Sequence, residues 1–171
     1  MIISRTPLRI SFFSGGSDLP SFYTKEPGAA LSITIDKYIH IFAHAVPFTD
    51  IRLMYDTIEE VSDLNNMQHD ITRETLKYFG VNKQITIGSI SDIISRGSGL
   101  GSSSAFTVGL INAIINQRQS WESLHPIKLA EYACMIEMDK CKFPVGKQDQ
   151  YVATYGGLNS YDFQKNKWIF N

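Results

Sequence analysis

Gly97-Ser98-Gly99-Leu100-Gly101-Ser102-Ser103-Ser104 runs directly into the apolar stretch Ala105-Phe106-Thr107-Val108-Gly109-Leu110-Ile111. Glycines allow several backbone amides to turn toward one point. A helix opening at the serines would set its positive end behind them, an arrangement suited to a di- or triphosphate. Hydroxyls at Ser102, Ser103 and Ser104 can also ligate Mg²⁺ carried by such phosphates. The segment has neither the Gly-Lys-Ser/Thr of a Walker loop nor the third glycine of the dinucleotide fingerprint, and a flexible turn with serine capping fits it equally well. Glu137 and Asp149 flank a loop that can aim both carboxylates at one place. A metal-bound nucleotide needs a hard anionic ligand, and a sugar or alcohol hydroxyl needs an acceptor for its proton. Taken singly, each acid also reads as a solvated surface charge. Arg9 can pair with phosphate oxygens, and Asp18, after Gly15-Gly16-Ser17, can hold sugar hydroxyls; a salt bridge and a helix cap are the plainer alternatives. His40 and His44 share a strand face without the glutamate of a helical zinc motif, and His69 and His125 stand alone.

The elements that must position these groups follow from pattern. Residues 2 to 12 read as a strand in which Pro7 belongs at an edge, followed by a glycine loop and a short helix through Phe22 and Tyr23. Ala29 to Ile35 and Tyr38 to Val46 alternate apolar and polar residues and read as two antiparallel strands around Asp36-Lys37. Arg52 to Tyr55 adds a short strand, and residues 56–69 are polar and irregular. Asp70 caps a helix through Tyr78 that Gly80 ends, and Gln84 to Ile90 is another strand. Helices are expected over Ala105 to Ile115, over Pro126 to Asp139, and over Gln148 to Tyr155 before Gly156-Gly157. Leu158 to Phe163 and Trp168 to Phe170 form a hairpin, with Trp121 and Trp168 as packing or surface aromatics.

Composition narrows the function classes. A chain of 171 residues is the size of one domain, and 43% apolar with 19% charged residues is ordinary globular usage. Sixteen Lys and Arg against seventeen Asp and Glu leave a net charge of -1, so no basic excess points to nucleic acid or an anionic membrane. The longest apolar runs, such as Ile39 to Val46, are broken by His40 and His44 and fall short of the roughly 20 residues a membrane helix needs. Two cysteines, Cys134 and Cys141, are too few for a disulfide scaffold and read as small buried hydrophobes. With no secretory pattern at the N-terminus, a cytoplasmic protein is expected.

In order along the chain, Ser95-Arg-Gly-Ser-Gly-Leu-Gly-Ser-Ser-Ser-Ala105 resembles the glycine-serine signature of the GHMP kinase superfamily. Arg5-Thr-Pro-Leu-Arg-Ile-Ser-Phe-Phe-Ser-Gly-Gly-Ser-Asp18 and Gly146-Lys-Gln-Asp-Gln-Tyr-Val-Ala-Thr-Tyr-Gly-Gly157 are similar to its D-glycero-D-manno-heptose 7-phosphate kinase branch. The resemblance implies an α+β fold, a mixed or antiparallel sheet covered by helices, in which residues 1–171 are the ribosomal-protein-S5-like N-terminal lobe. It implies ATP and Mg²⁺, with phosphate placed on a sugar hydroxyl, here the anomeric one of a heptose 7-phosphate. Residues 97–104 would hold the nucleotide, Ser103 and Glu137 the magnesium, and Gly15, Gly16, Ser17 and Asp18 the sugar, where galactokinase-like members carry Gly-Glu-His-Thr-Asp. Asp149 falls at the catalytic aspartate and Arg9 at the cation beside the transferred phosphate. Relatives are about twice as long, so the chain is expected to be weak alone, to show an apolar face, and to need a C-terminal lobe or a partner chain. A nucleotide or sugar-phosphate binding module, a half-enzyme, and a kinase for fucose, a galactose-like sugar or a mevalonate-like alcohol remain as alternatives.

Overall fold

The computed structural model describes residues 1–13, 15–47, 49–93, 98–117, 124–164 and 167–170. Ser95, Arg96 and Gly97 of the signature lie outside the described residues, as do Trp121 and the side chain of Trp168. A seven-stranded sheet is formed by β1 (Ile2–Ser11), β2 (Gly28–Ala45), β3 (Ile51–Met54), β4 (Ile58–Val61), β5 (Ile85–Ser91), β6 (Leu158–Gln164) and β7 (Lys167–Phe170). Its helices are α1 (Pro20–Tyr23), α2 (Asp70–Tyr78), α3 (Ser102–Gln117), α4 (Pro126–Cys134) and α5 (Gln148–Tyr155), with short 3₁₀ turns at Gly16–Asp18 and Leu64–Asn66. All pairings are antiparallel except β3 with β5, which gives the mixed sheet of an α+β fold.

β2 organises the sheet and corrects the expected hairpin. Residues 28–45 are one continuous strand, with β1 along one side and β5 and β6 sharing the other. Asp36-Lys37 has no glycine for a two-residue hairpin turn, and neither position has a positive φ. What that dipeptide marks is a bulge: Pro7 pairs with Tyr38 and Arg9 with Thr34, so three β2 residues face Leu8 alone. The bulge reverses which side chains face the helices. Ser4, Thr6 and Leu8 are buried beneath them before it, whereas Arg9 and Ser11 reach toward α5 after it. Bulges commonly re-aim a side chain beside a site, and here that side chain is Arg9.

Helix α3 is apolar nearly all round and packs on β1 and β2, with Leu110, Ile111, Ala113 and Ile114 fully excluded from water. Burying each large aliphatic side chain is worth about 1.5–3 kcal/mol, so this helix anchors the loop before it. Gly109 lets the layers close, since a Cβ there would stand 2.8 Å from Thr6 Oγ1. α4 and α5 pack against α3 and against each other.

Three further expectations change in detail. The cap of α2 is His69, whose ring accepts from the Thr72 amide, rather than Asp70. The helix expected to 139 is α-helical only to Cys134, and Met135–Lys140 winds as a π-helix. The irregular 56–69 segment contains β4. Cys134 is buried and Cys141 half-buried, both free thiols. Ile3, Ile10, Phe12, Phe13, Ile90 and Leu158 are exposed. No helix among the described residues is long and apolar enough to cross a membrane.

Candidate active site

Arg9 ties the glycine-serine loop to the sheet. The Arg9 amide donates to the Leu100 carbonyl at 3.0 Å, and its guanidinium donates to the Gly99 carbonyl. Gly99 and Gly101 have φ of +68° and +74°, which a side chain would strain. The turn delivers the chain to α3, whose first amides have no intrahelical acceptor and stand at the positive end of a 16-residue helix. Ser98 and Ser102 hydroxyls lie 3.3 Å apart. Ser103 is exposed beside a cleft, while Ser104 is buried and donates to Glu137 Oε2 at 2.9 Å.

Arg9 also spans to the other side of the site. Its Nε and Nη2 each donate to one oxygen of Asp149 at 2.7 Å, a bidentate pair that fixes the carboxylate in orientation as well as position. Asp149 is the second residue of α5, where a carboxylate complements the helix dipole, and its side chain keeps 25% of its exposure. One guanidinium therefore joins the loop backbone to this acid across 140 residues of sequence.

Asp18 sits under the same helix. Its Oδ2 accepts from the Gln148 amide at 3.1 Å, and a Cβ on Gly146 would lie 1.9 Å from that oxygen, so Gly146 makes room for the carboxylate. Burial pushes the Asp18 pKa up to about 6, and the Asp149 charge pushes the same way. Amides of Gln148 and Lys147, and Arg9, oppose the rise. Gln148 is buried, its carboxamide oxygen accepting from Ser32 at 3.0 Å and Ser11 at 3.3 Å, and its amino group fills the space over Gly15. Ser17 spends its hydroxyl on the Ala29 carbonyl, and no atom approaches Gly16 where a side chain would stand.

Glu137 lies on the π-helical turn with no exposed surface. Burial raises its pKa, and hydrogen bonds from Thr107, Ser104 and Gln150 work against the rise. Gln150 Nε2 donates to Oε2 at 2.8 Å, whereas Oε1 is buried without a partner. An oxygen in that state is completed by a proton or a cation, so Glu137 and the serines at the head of α3 fit a divalent ion.

The structure thus gathers Arg9, Asp18, Asp149 and the Gly99 to Gly101 turn, and puts Glu137 with Ser104 on the inner side of α3. Sequence reasoning missed Gln148, Gln150 and Thr107, because a buried amide or hydroxyl has no signature apart from its partners. It also missed the cleft beside Ser102 and Ser103, a cavity of about 400 Å³ walled by Ile39, Ile71, Ile90, Tyr55, His69 and Phe106. Those residues come from β2, β5, α3, α2 with its cap, and the turn after β3.

Comparison with known proteins identifies the family and the fold. The family described as GHMP kinases N terminal domain matches residues 66–157. The D-glycero-alpha-D-manno-heptose 7-phosphate kinase of Campylobacter jejuni is 31% identical over 190 residues, covering 98% of this chain and 52% of that protein. A putative sugar kinase from Campylobacter jejuni superposes with a TM-score of 0.81 at 30% identity, over 99% of this chain and 55% of its own. A D-glycero-D-manno-heptose 1-phosphate kinase from Bacteriodes thetaiotaomicron superposes with a TM-score of 0.86 at 24% identity, over 100% of this chain and 59% of its own, and so shares the fold. The chain spans about half the length of the curated relative it matches.

Proposed function

From the premise that this chain belongs to the GHMP kinases, matching their N-terminal domain, we propose that it serves ATP-dependent phosphoryl transfer to a sugar hydroxyl. The acceptor we infer is the anomeric hydroxyl of a heptose 7-phosphate, the substrate class named for the Campylobacter jejuni relative. The observation that carries the reading is Arg9, one guanidinium bonded at once to the glycine-serine loop and to Asp149. Phosphoryl transfer asks the protein for alignment and charge compensation more than for covalent chemistry, and this residue serves both ends of the line.

In this reading the amides of the Gly99 to Ser103 turn cradle the phosphates, and the cleft at Ser102 and Ser103 takes the nucleoside. Glu137 and a serine hydroxyl at the head of α3 would hold Mg²⁺, which neutralises phosphate charge when bound. Asp149, oriented by Arg9, accepts the proton of the attacking hydroxyl. Asp18 and the Gln148 amino group, both against the Gly15-Gly16 turn, face the sugar. Arg9 is the cation available to spread charge as the phosphate moves. A second lobe, or a partner chain, would close over the open side of the cleft; the doubled length of the relative supports this.

Isothermal titration of the purified chain with Mg·ATP and with heptose 7-phosphate tests the reading. Saturable binding of both is expected, with fucose, galactose and mevalonate weaker than the heptose. Failure of both ligands to bind at millimolar concentration would overturn it.

A further inference from the structure

His69 lines the cleft and has no part in the site described above. Its Nδ1 accepts from the backbone amide of Thr72 at 3.3 Å and lies 3.1 Å from the Thr72 hydroxyl. A backbone N–H can only donate, so Nδ1 carries no proton and the neutral ring must carry it on Nε2. Burial lowers the His69 pKa below its ordinary value, with Glu59 and Asp70 opposing, which keeps the ring in that neutral form. The ring is wedged between Tyr55, edge-on at 5.0 Å, and Phe106 at 4.9 Å. Among the described residues Nε2 has no hydrogen-bond partner, and it is not sealed from solvent. His69 lines the cleft that ends at Ser102 and Ser103.

An oriented donor, an aromatic neighbour and aliphatic walls at Ile39, Ile71 and Ile90 describe a slot for a flat heteroaromatic ring with an acceptor nitrogen on its edge. We propose that His69 reads the purine of the bound nucleotide, donating from Nε2 to one ring nitrogen while its backbone amide partner locks the tautomer. This deepens the nucleotide reading above and rests on it. The cap and the reader are one residue: α2 begins where the base is recognised.

The test separates capping from reading. Asparagine is a good helix cap but lacks both the ring and the reach of Nε2, so His69→Asn keeps the cap while giving up the contacts with Tyr55 and Phe106, and is expected to stay folded with a melting temperature lowered by a few degrees. It is expected to bind Mg·ATP about five- to tenfold more weakly, the scale of one hydrogen bond, with inorganic tripolyphosphate affinity unchanged. The wild-type chain provides a second measurement that does not depend on any variant folding. One of the 1-deaza, 3-deaza and 7-deaza analogues of ATP is expected to bind it weakly by a similar factor. Equal affinity of His69→Asn and wild type for Mg·ATP, or equal affinity of the wild type for ATP and all three analogues, overturns the proposal while leaving the nucleotide reading intact. Failure of both ATP and tripolyphosphate to bind the wild type ends both.

Discussion

At the scale of single residues, Arg9 and Asp149 form the pair on which turnover should depend. Asparagine at 149 keeps a hydrogen bond to Arg9 but cannot take a proton, so Asp149→Asn, assayed by ADP release with the complementing half present, is expected to lower turnover by about two orders of magnitude with ATP affinity little changed. Unchanged turnover would remove the proton-acceptor role. Lysine in place of Arg9 keeps the charge but cannot bond two carboxylate oxygens and a loop carbonyl together, so Arg9→Lys should cost about tenfold or more in the same assay. Asp18 makes a different prediction, about stability. Its folded pKa, about 6, lies above the ordinary 3.8, so the buried carboxyl is favoured protonated and its ionisation opposes folding. The contribution is therefore fully present below pH 4 and is lost as pH rises toward 6. Asp18→Asn still accepts from the Gln148 amide, and should match wild type near pH 4 yet exceed it at pH 7.5, by at most about 3 kcal/mol, in denaturant titrations. Equal stability at both pH values would show that Asp18 ionises without penalty.

At the scale of elements, the site depends on how α5 is seated. Gly146 touches the Asp18 carboxylate closely enough that any Cβ would collide with it, and Asp18 in turn holds the first amides of α5. Gly146→Ala should thus displace Asp18 and tilt the helix that presents Asp149. An overpacking cost of about 1–3 kcal/mol in chemical unfolding is expected, together with weakened sugar binding. A variant as stable as wild type would mean the loop simply moves aside. This coupling was only partly legible in the sequence. The helix itself, with Asp149 in its first turn and Gly156-Gly157 after it, could be read because caps and glycine stops are local signals. The loop before α3 was legible for the same reason. The bulge was not, since alternation in β2 breaks at Asp36-Lys37 whether the chain turns back or shifts phase, and only pairing with β1 decides between them. In sequence His69 stands alone, because histidine is an uncommon cap and its surroundings depend on Tyr55 and Phe106, which arrive from β3's end and from α3. The pairing of Glu137 with Ser104 rather than Ser103 reflects helix phase: neighbouring residues on α3 point about 100° apart, so one faces the cleft and the other the core.

At the scale of the whole molecule, charge decides what ligand state can enter. Arg9 shares its charge with Asp149, and Asp18 and Glu137 crowd the same region, so among these four described side chains acids outnumber the one cation. The protein as a whole does not compensate, because its net charge is -1. Backbone amides at the head of α3 supply partial charges only, each helix terminus amounting to about half an elementary charge. Four negative charges of ATP are not balanced by those amides alone, whereas a divalent ion completing Glu137 Oε1 would convert that acid from a repulsive group into a ligand. ATP affinity of this chain should therefore fall at least tenfold when Mg²⁺ is replaced by EDTA in the titration cell. Glu137→Gln, which retains the bonds to Ser104 and Gln150 in altered form but gives up the charge, should shrink that metal dependence severalfold. Binding of metal-free ATP as tight as Mg·ATP would contradict this electrostatic account, and would return Glu137 to the role of a buried, protonated strut between α3 and the π-helical turn.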